Sequence, residues 1–197
     1  MNSLADSGAI FNYHRGMIAE HGHEHCRALG WVDDYSQTVR FEAMARIADL
    51  HGNSVLDAGC GYGDLCAYLK NYNHYTGVEQ IPELLDEAER RYGADNRVSF
   101  LPANFMHSKL PLSDYVIACG SLNYRSADPD FIFKAIDRLY QHCKLGLGFN
   151  LLRDIPGTGL IVAYDPKAIV AYCHTLTANV VLVDDYDPDD FTVFMYR

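Results

Sequence analysis

The chain has 197 residues, of which 49% are hydrophobic and 21% charged, the composition of an ordinary folded protein with a sizeable core in one domain. Its formal net charge is −10 and it contains no basic tract, which argues against DNA or RNA as partner, because phosphate neutralisation requires clustered Lys and Arg. Six dispersed cysteines without a C-x-x-C pair, an N-terminus without a signal-peptide pattern and no apolar stretch of spanning length point to a reduced, cytoplasmic protein that does not enter a membrane.

In chain order, residues 1–52 read as a helical cap. A first helix is expected from about Ser7 to Leu29, carrying Phe11, Tyr13, His14 and Met17 and ending at the Gly30-Trp31 break. A second runs from a Ser36 N-cap through Val39, Ala43, Met44, Ile47 and Leu50 to Gly52. The segment His21-Gly-His-Glu-His-Cys26 would place His21 and His25 on one helical face. Gly22 weakens that helix and no partner ligand stands at a familiar spacing, so no metal is expected.

Residues 53–197 alternate between strand and helix. Ser54 to Ala58 is an apolar run ending in an acid, Asp57, followed by glycines at 59, 61 and 63 and a helix from Asp64 to Lys70. Glycines here permit positive φ and let a ligand approach the backbone, while the helix start offers free N–H groups. A strand at His74–Glu79 leads to a helix opened by Pro82 and closed by Gly93. Strands follow at 97–101 and 115–119, and then a helix announced by Asp128-Pro129. A strand at 145–152, a loop through Ile155 to Leu160 and a helix from Asp165-Pro166 to about Leu176 come next. Runs 179–183 and 191–196 are joined by too short a segment for parallel pairing, which makes them an antiparallel hairpin at a sheet edge. The acidic connection 184–190 lacks the glycine and glutamate of an EF-hand and reads as a solvated hairpin tip. The expected architecture is α/β: a three-layer, Rossmann-like sandwich around a mostly parallel seven-stranded sheet with an antiparallel C-terminal hairpin and an N-terminal helical cap.

A dinucleotide fingerprint would need glycine at position 64, where the chain has Asp64. The pattern Asp57-x-Gly59-x-Gly61-x-Gly63 instead resembles motif I of the class I S-adenosylmethionine (SAM) dependent methyltransferases. Glu79 lies 20 residues beyond Gly59, where a carboxylate can accept both ribose hydroxyls of an adenosine. The resemblance implies S-adenosyl-L-methionine as cofactor, with Glu79 on the ribose, Gln80 and Ile81 beside the adenine, Asn104 at its exocyclic amine and Phe105 against the ring. It further implies Asp57 on the cofactor amino group, with Gly59, Gly61 and Cys119-Gly120 lending backbone contacts. Arg40, with Gln37, is a candidate for the cofactor carboxylate.

The stretch Gly120-Ser-Leu-Asn-Tyr-Arg125 occupies the acceptor side and lacks the Asn/Asp-Pro-Pro-Tyr signature of amino-methylating DNA and protein-glutamine enzymes. Asn123 and Tyr124 are candidates to orient a nucleophile, with His14 as general base arriving from the cap. A small-molecule acceptor is expected, methylated by direct displacement. The competing readings are a protein or peptide acceptor, a nicotinamide-dependent oxidoreductase and a non-catalytic SAM-binding module. The acceptor atom and the oligomeric state are not encoded in any motif.

Overall fold

The computed structural model describes residues 2–23, 25–154 and 159–197, with side chains from Asp6 onward. The expected loop through Ile155 to Leu160 lies largely outside the described residues, as does Glu24 of the histidine-rich segment.

Helix α1 spans Asn2–His21 and α2 Asp34–Ala45, with a 3₁₀ turn at Cys26–Leu29 between them. The single helix expected from Ser7 to Leu29 is therefore divided. Gly22 takes φ +76° and its N–H closes on Ile18 O at 2.8 Å, a left-handed C-terminal stop that no helix can continue through. The N-cap of α2 is Asp33 rather than Ser36. Asp33 Oδ1 accepts from Ser36 N at 2.7 Å and Ser36 Oγ accepts from Asp33 N at 3.2 Å, so Ser36 supplies the returning half of a capping box. The helix also ends at Ala45, short of Gly52.

The core alternates as expected: β1 Ser54–Ala58, α3 Asp64–Leu69, β2 His74–Glu79, α4 Pro82–Tyr92, β3 Val98–Pro102, β4 Ser113–Ala118, α5 Phe131–Gln141, β5 Cys143–Leu152, α6 Pro166–Leu176, β6 Val180–Val183 and β7 Asp190–Tyr196. One seven-stranded sheet runs in the order β3-β2-β1-β4-β5-β7-β6. The first five strands are parallel, and β7 runs antiparallel to both β5 and β6. The hairpin connection limits β6 and β7 to this arrangement, since a parallel pair needs a crossover of a dozen or more residues.

Side-chain alternation divides the core into two layers. Leu56, Ala58, Val116, Ala118 and Phe149 face one side with Ile136 and Leu139 of α5 and Ile169 and Cys173 of α6. Val55, Tyr75, Ile117 and Phe194 face the other with Phe41 and Met44 of α2 and Leu65 and Cys66 of α3. Ile10, Phe11 and Ile18 of α1 pack on Leu29, Ile81 and Leu84, which lays that helix across the C-terminal ends of the strands.

The connection 184–190 departs from a solvated tip at its last residue. Asp190 is 0% exposed. It accepts from Arg40 Nε at 2.7 Å, from Asn150 Nδ2 on both oxygens at 3.1 and 3.0 Å, and from the Tyr186 hydroxyl. A run of acids signals solvation only on average; this one finds a buried cation and an amide. Among the described residues no helix is long and apolar enough to cross a membrane, and no group of His, Cys, Asp and Glu could hold a metal ion. His21 and His25 fall in different elements, and His25 Nδ1 caps the 3₁₀ turn by accepting from Arg27 N at 3.2 Å.

Candidate active site

Sheet order reverses between β1 and β4, and a crevice opens beyond the C-terminal ends of these strands, the switch point where open α/β sheets take ligands. A cavity of about 960 Å³ lies there, at the upper end of the usual range of roughly 300–1,000 Å³ for small-molecule sites. Asp57, Gly59, Gly61, Glu79, Gln80, Asn104, Phe105, Cys119, His14 and Tyr124 all line it.

The turn after β1 makes the wall next to Asp57. Gly59, Gly61 and Gly63 have φ of +81°, +54° and +75°, and Gly59 N and Cys60 N donate to Val78 O at 2.8 and 3.1 Å, which ties the turn to β2. A Cβ at Gly59 would stand 2.5 Å from Ser121 Cβ, and Ser121 is itself held by its hydroxyl donating to Ala58 O at 2.6 Å. Gly59→Ala is accordingly expected to combine a left-handed strain with a clash. It should lower stability by about 1–3 kcal/mol and affinity for the SAM that motif I implies at least tenfold, read by thermal melting and calorimetry. An affinity within twofold of wild type would show that the turn tolerates widening.

Asp57 is 2% exposed. Its Oδ2 accepts from the Tyr75 hydroxyl, while Oδ1 is buried with no hydrogen-bond partner among the described residues. Burial, opposed by the Tyr75 bond and assisted by the nearby Glu79 charge, pushes its carboxyl up to about 7. Glu79 is engaged on both oxygens. Oε2 accepts from Gly61 N at 3.0 Å, and Oε1 accepts from Gln80 N at 2.8 Å and Ile81 N at 2.9 Å. It thus cross-links the glycine turn to the end of β2. Burial raises its carboxyl and the three N–H bonds work against that rise.

Asn104 Nδ2 donates to Gln80 Oε1 at 2.8 Å and Asn104 Oδ1 accepts from Met106 N at 2.8 Å, which shapes the loop after β3. Arg138 of α5, which also lines the cavity, braces that loop, donating from Nε to Phe105 O at 2.6 Å and from Nη2 to Ser108 O. The Cys119 thiol, pushed well up by burial, is neutral.

On the opposite side, His14 Nδ1 lies 3.2 Å from Ala28 O and Nε2 lies 2.7 Å from the Tyr124 hydroxyl. A carbonyl only accepts, so Nδ1 carries the proton and Nε2 accepts from Tyr124. Burial lowers the His14 pKa and raises that of Tyr124. Both are neutral at pH 7.

Two expected site residues stand outside the cavity lining. Arg40 is ion-paired to Asp190 and donates from Nη1 to Ser36 O at 2.7 Å, so it is satisfied within the protein rather than held ready for a cofactor carboxylate. Asn123 donates from Nδ2 to Val162 O at 2.8 Å and its carbonyl accepts from Val162 N at 2.8 Å, which fastens the loop after β4 to the 160–164 segment. In both, a partner remote in sequence takes up the polar groups. Trp31 and Ser121 line the cavity without having been singled out as contacts; Trp31, the sole tryptophan, marked only a helix break in the sequence.

The residues present fit the donor that motif I implies. An orphaned buried carboxylate oxygen at Asp57, a glycine turn that a Cβ would fill and polar groups along the ends of β2 and β3 match an ammonium, a close-lying chain and an adenosine in turn. The arrangement is that of an α/β protein with a crevice suited to a nucleoside cofactor. Residues 55–146 match the methyltransferase domain family. Rv1506c of Mycobacterium tuberculosis, named as a candidate methyltransferase, is 28% identical, with the match covering 73% of this chain and 93% of the relative. In fold, the chain is similar to magnesium protoporphyrin IX methyltransferase from Synechocystis PCC 6803 with bound SAM, at a TM-score of 0.70 and 16% identity over 98% of this chain and 97% of that one. It is also similar to DhpI in complex with SAM and HEP, at 0.73 and 14% over 96% of each. Together the domain match, the relative and the SAM-bound structures of like fold support a class I SAM-dependent methyltransferase with SAM as cofactor.

Proposed function

We propose that this enzyme, acting as a single unit of helical cap (1–52) and SAM-binding core (53–197), methylates a small-molecule acceptor by direct displacement. The observation that carries the reading is the pinning of α1 across the cavity. Asp6 accepts from Ser126 Oγ at 2.7 Å and from Ala127 N at 3.1 Å, Arg15 pairs with Glu83 at 2.6 Å, and His14 meets Tyr124 between them. A macromolecular acceptor would have to displace this helix, whereas a small molecule fits beneath it. The small-molecule acceptor of the magnesium protoporphyrin methyltransferase agrees in kind. Six free cysteines support a reducing compartment, the cytoplasm, as the place of action.

The bound cofactor supplies an electrophilic methyl group on a sulfonium. Asp57 Oδ1 holds the ammonium of the donor, Glu79 the ribose by the acceptor capacity left on its oxygens, and Gln80, Asn104 and Phe105 the adenine. His14 and Tyr124 serve the acceptor. Tyr124 takes a proton from the attacking group on its oxygen as its own O–H proton passes to His14 Nε2, and Ala28 O stabilises the resulting imidazolium through Nδ1–H. Alignment and exclusion of water by α1 contribute the rest.

Tyr124→Phe keeps the ring and removes the relay, so kcat should fall by about 10²-fold or more while SAM affinity stays within twofold. An unchanged kcat would mean that the acceptor loses its proton without Tyr124. The acceptor class is tested by incubating the protein with methyl-labelled SAM and a cell extract divided at 1 kDa. Label is expected in the small-molecule fraction, and label confined to macromolecules would overturn the reading.

A further inference from the structure

The buried polar cluster behind the cavity reaches its wall from two sides. Asn150 of β5 is 1% exposed, and its Oδ1 accepts the Gly120 N–H at 2.7 Å while its Nδ2 donates to both oxygens of Asp190. Arg40, also on Asp190, carries its guanidinium 5.5 Å above the Trp31 ring. Trp31 in turn covers Gly120, where φ is +71° and an added Cβ would stand 2.6 Å from the ring. Gly120 and Trp31 both line the cavity, and Asn150, Asp190 and Arg40 do not.

We infer that Asn150, Asp190 and Arg40 are positioning residues for the donor site: from outside the cavity they fix the Gly120 turn by its N–H and the Trp31 ring by its face, and so set the wall beside the methionine end of SAM. The inference rests on reading this cavity as the SAM site. Three features support it. Each group is committed on more than one side, so the cluster is a rigid frame. Asp190 begins β7 and Asn150 lies in the strand paired with it, which ties the wall to the centre of the sheet. A buried carboxylate, amide and guanidinium are costly to desolvate, whereas apolar packing would hold a fold without them. Their geometry serves to hold a backbone N–H and an indole plane in place, which apolar side chains do less specifically.

Because Trp31 is the only tryptophan, its emission reports the ring's setting directly. Asn150→Ala leaves Gly120 N–H without its acceptor and should weaken SAM binding about tenfold by calorimetry. Arg40→Lys preserves the charge opposite Asp190 but gives up the planar group over the ring. It should shift Trp31 emission and reduce SAM affinity at least fivefold, and it decides the matter if Asn150→Ala does not fold. Tyr186→Phe is the control, since it removes outer bonds of the same cluster to Asp190 and Thr192 without touching Gly120 or Trp31. It should lower the thermal midpoint with SAM affinity and Trp31 emission unchanged.

If the folded Asn150→Ala or Arg40→Lys variant binds SAM within twofold of wild type, the inference is overturned and the cluster is structural. It is overturned equally if Tyr186→Phe loses affinity in proportion to its stability. Failure of the wild-type protein to bind SAM would overturn the reading of the cavity, and the inference with it.

Discussion

Asp57→Asn is expected to stabilise the ligand-free protein at pH 8 while weakening its binding of SAM by about ten- to a hundredfold, the range for losing a hydrogen bond to a charged group. Both effects come from one buried carboxylate. Its carboxyl rises from an ordinary 3.8 to about 7, burial being the main cause. Between those values the folded state holds a proton that the unfolded state has released, so the folded form loses stability as pH rises, and the full penalty is in place above 7. At 1.36 kcal/mol per pH unit the penalty is on the order of 4 kcal/mol. Asparagine keeps an acceptor for the Tyr75 hydroxyl and carries no charge. Chemical denaturation at pH 4.5 and pH 8 should show the two proteins alike at the lower value and the variant more stable at the higher.

Binding has the opposite sign under the proposed pairing, because an ammonium at Asp57 favours the ionised carboxylate. Wild-type affinity should climb from pH 5.5 through 7, with a proton released on binding in the lower half of that range, and Asp57→Asn should flatten the dependence. A variant that is less stable at pH 8, or that retains the wild-type pH dependence of binding, would remove Asp57 from this role.

The second large effect is expected at Glu79. Glu79→Ala leaves the N–H groups of Gly61, Gln80 and Ile81 without their acceptor at once. With roughly 1–3 kcal/mol for each buried unpaired group, and water entering the vacated space to recover part of it, a net loss of about 3 kcal/mol of stability is expected. SAM affinity should fall by about 1–3 kcal/mol as well, because the proposed ribose acceptor and the shape of the glycine turn are lost together. Glu79→Gln keeps one acceptor oxygen but turns an amide donor toward an N–H, and should fall between the two. Urea melts and calorimetry on both variants test this; Glu79→Ala with wild-type melting and binding would show that the turn holds its own shape.

Glu79 also shows what kind of information each level carried. Its place at the end of β2 followed from an apolar run closed by an acid and from its spacing to Gly59, so its position was legible. That it braces Gly61 was not, because the bond joins the turn to the next strand and leaves no mark on local periodicity. His14 is similar: it was legible as a polar residue on a cap helix, and its tautomer became definite only when Ala28 O and the Tyr124 hydroxyl were seen to flank it. Arg40 and Asn123 show the opposite outcome. Each has the right chemistry for a ligand, and each is drawn to a protein partner instead.

The sequence by itself determined the alternation of strands and helices, the antiparallel ending, the glycine turn and the donor it implies. These depend on side-chain period, on the short reach of the chain between β6 and β7, and on the φ values open to glycine, all of them local properties. Only the tertiary structure decided where the first helix breaks and lies, that His14 meets Tyr124 across 110 positions, and that Asp190 is buried against Arg40 across 150. Pairing between remote polar groups depends on which desolvated partners the packed core leaves within reach of one another, and that is settled only when the layers close.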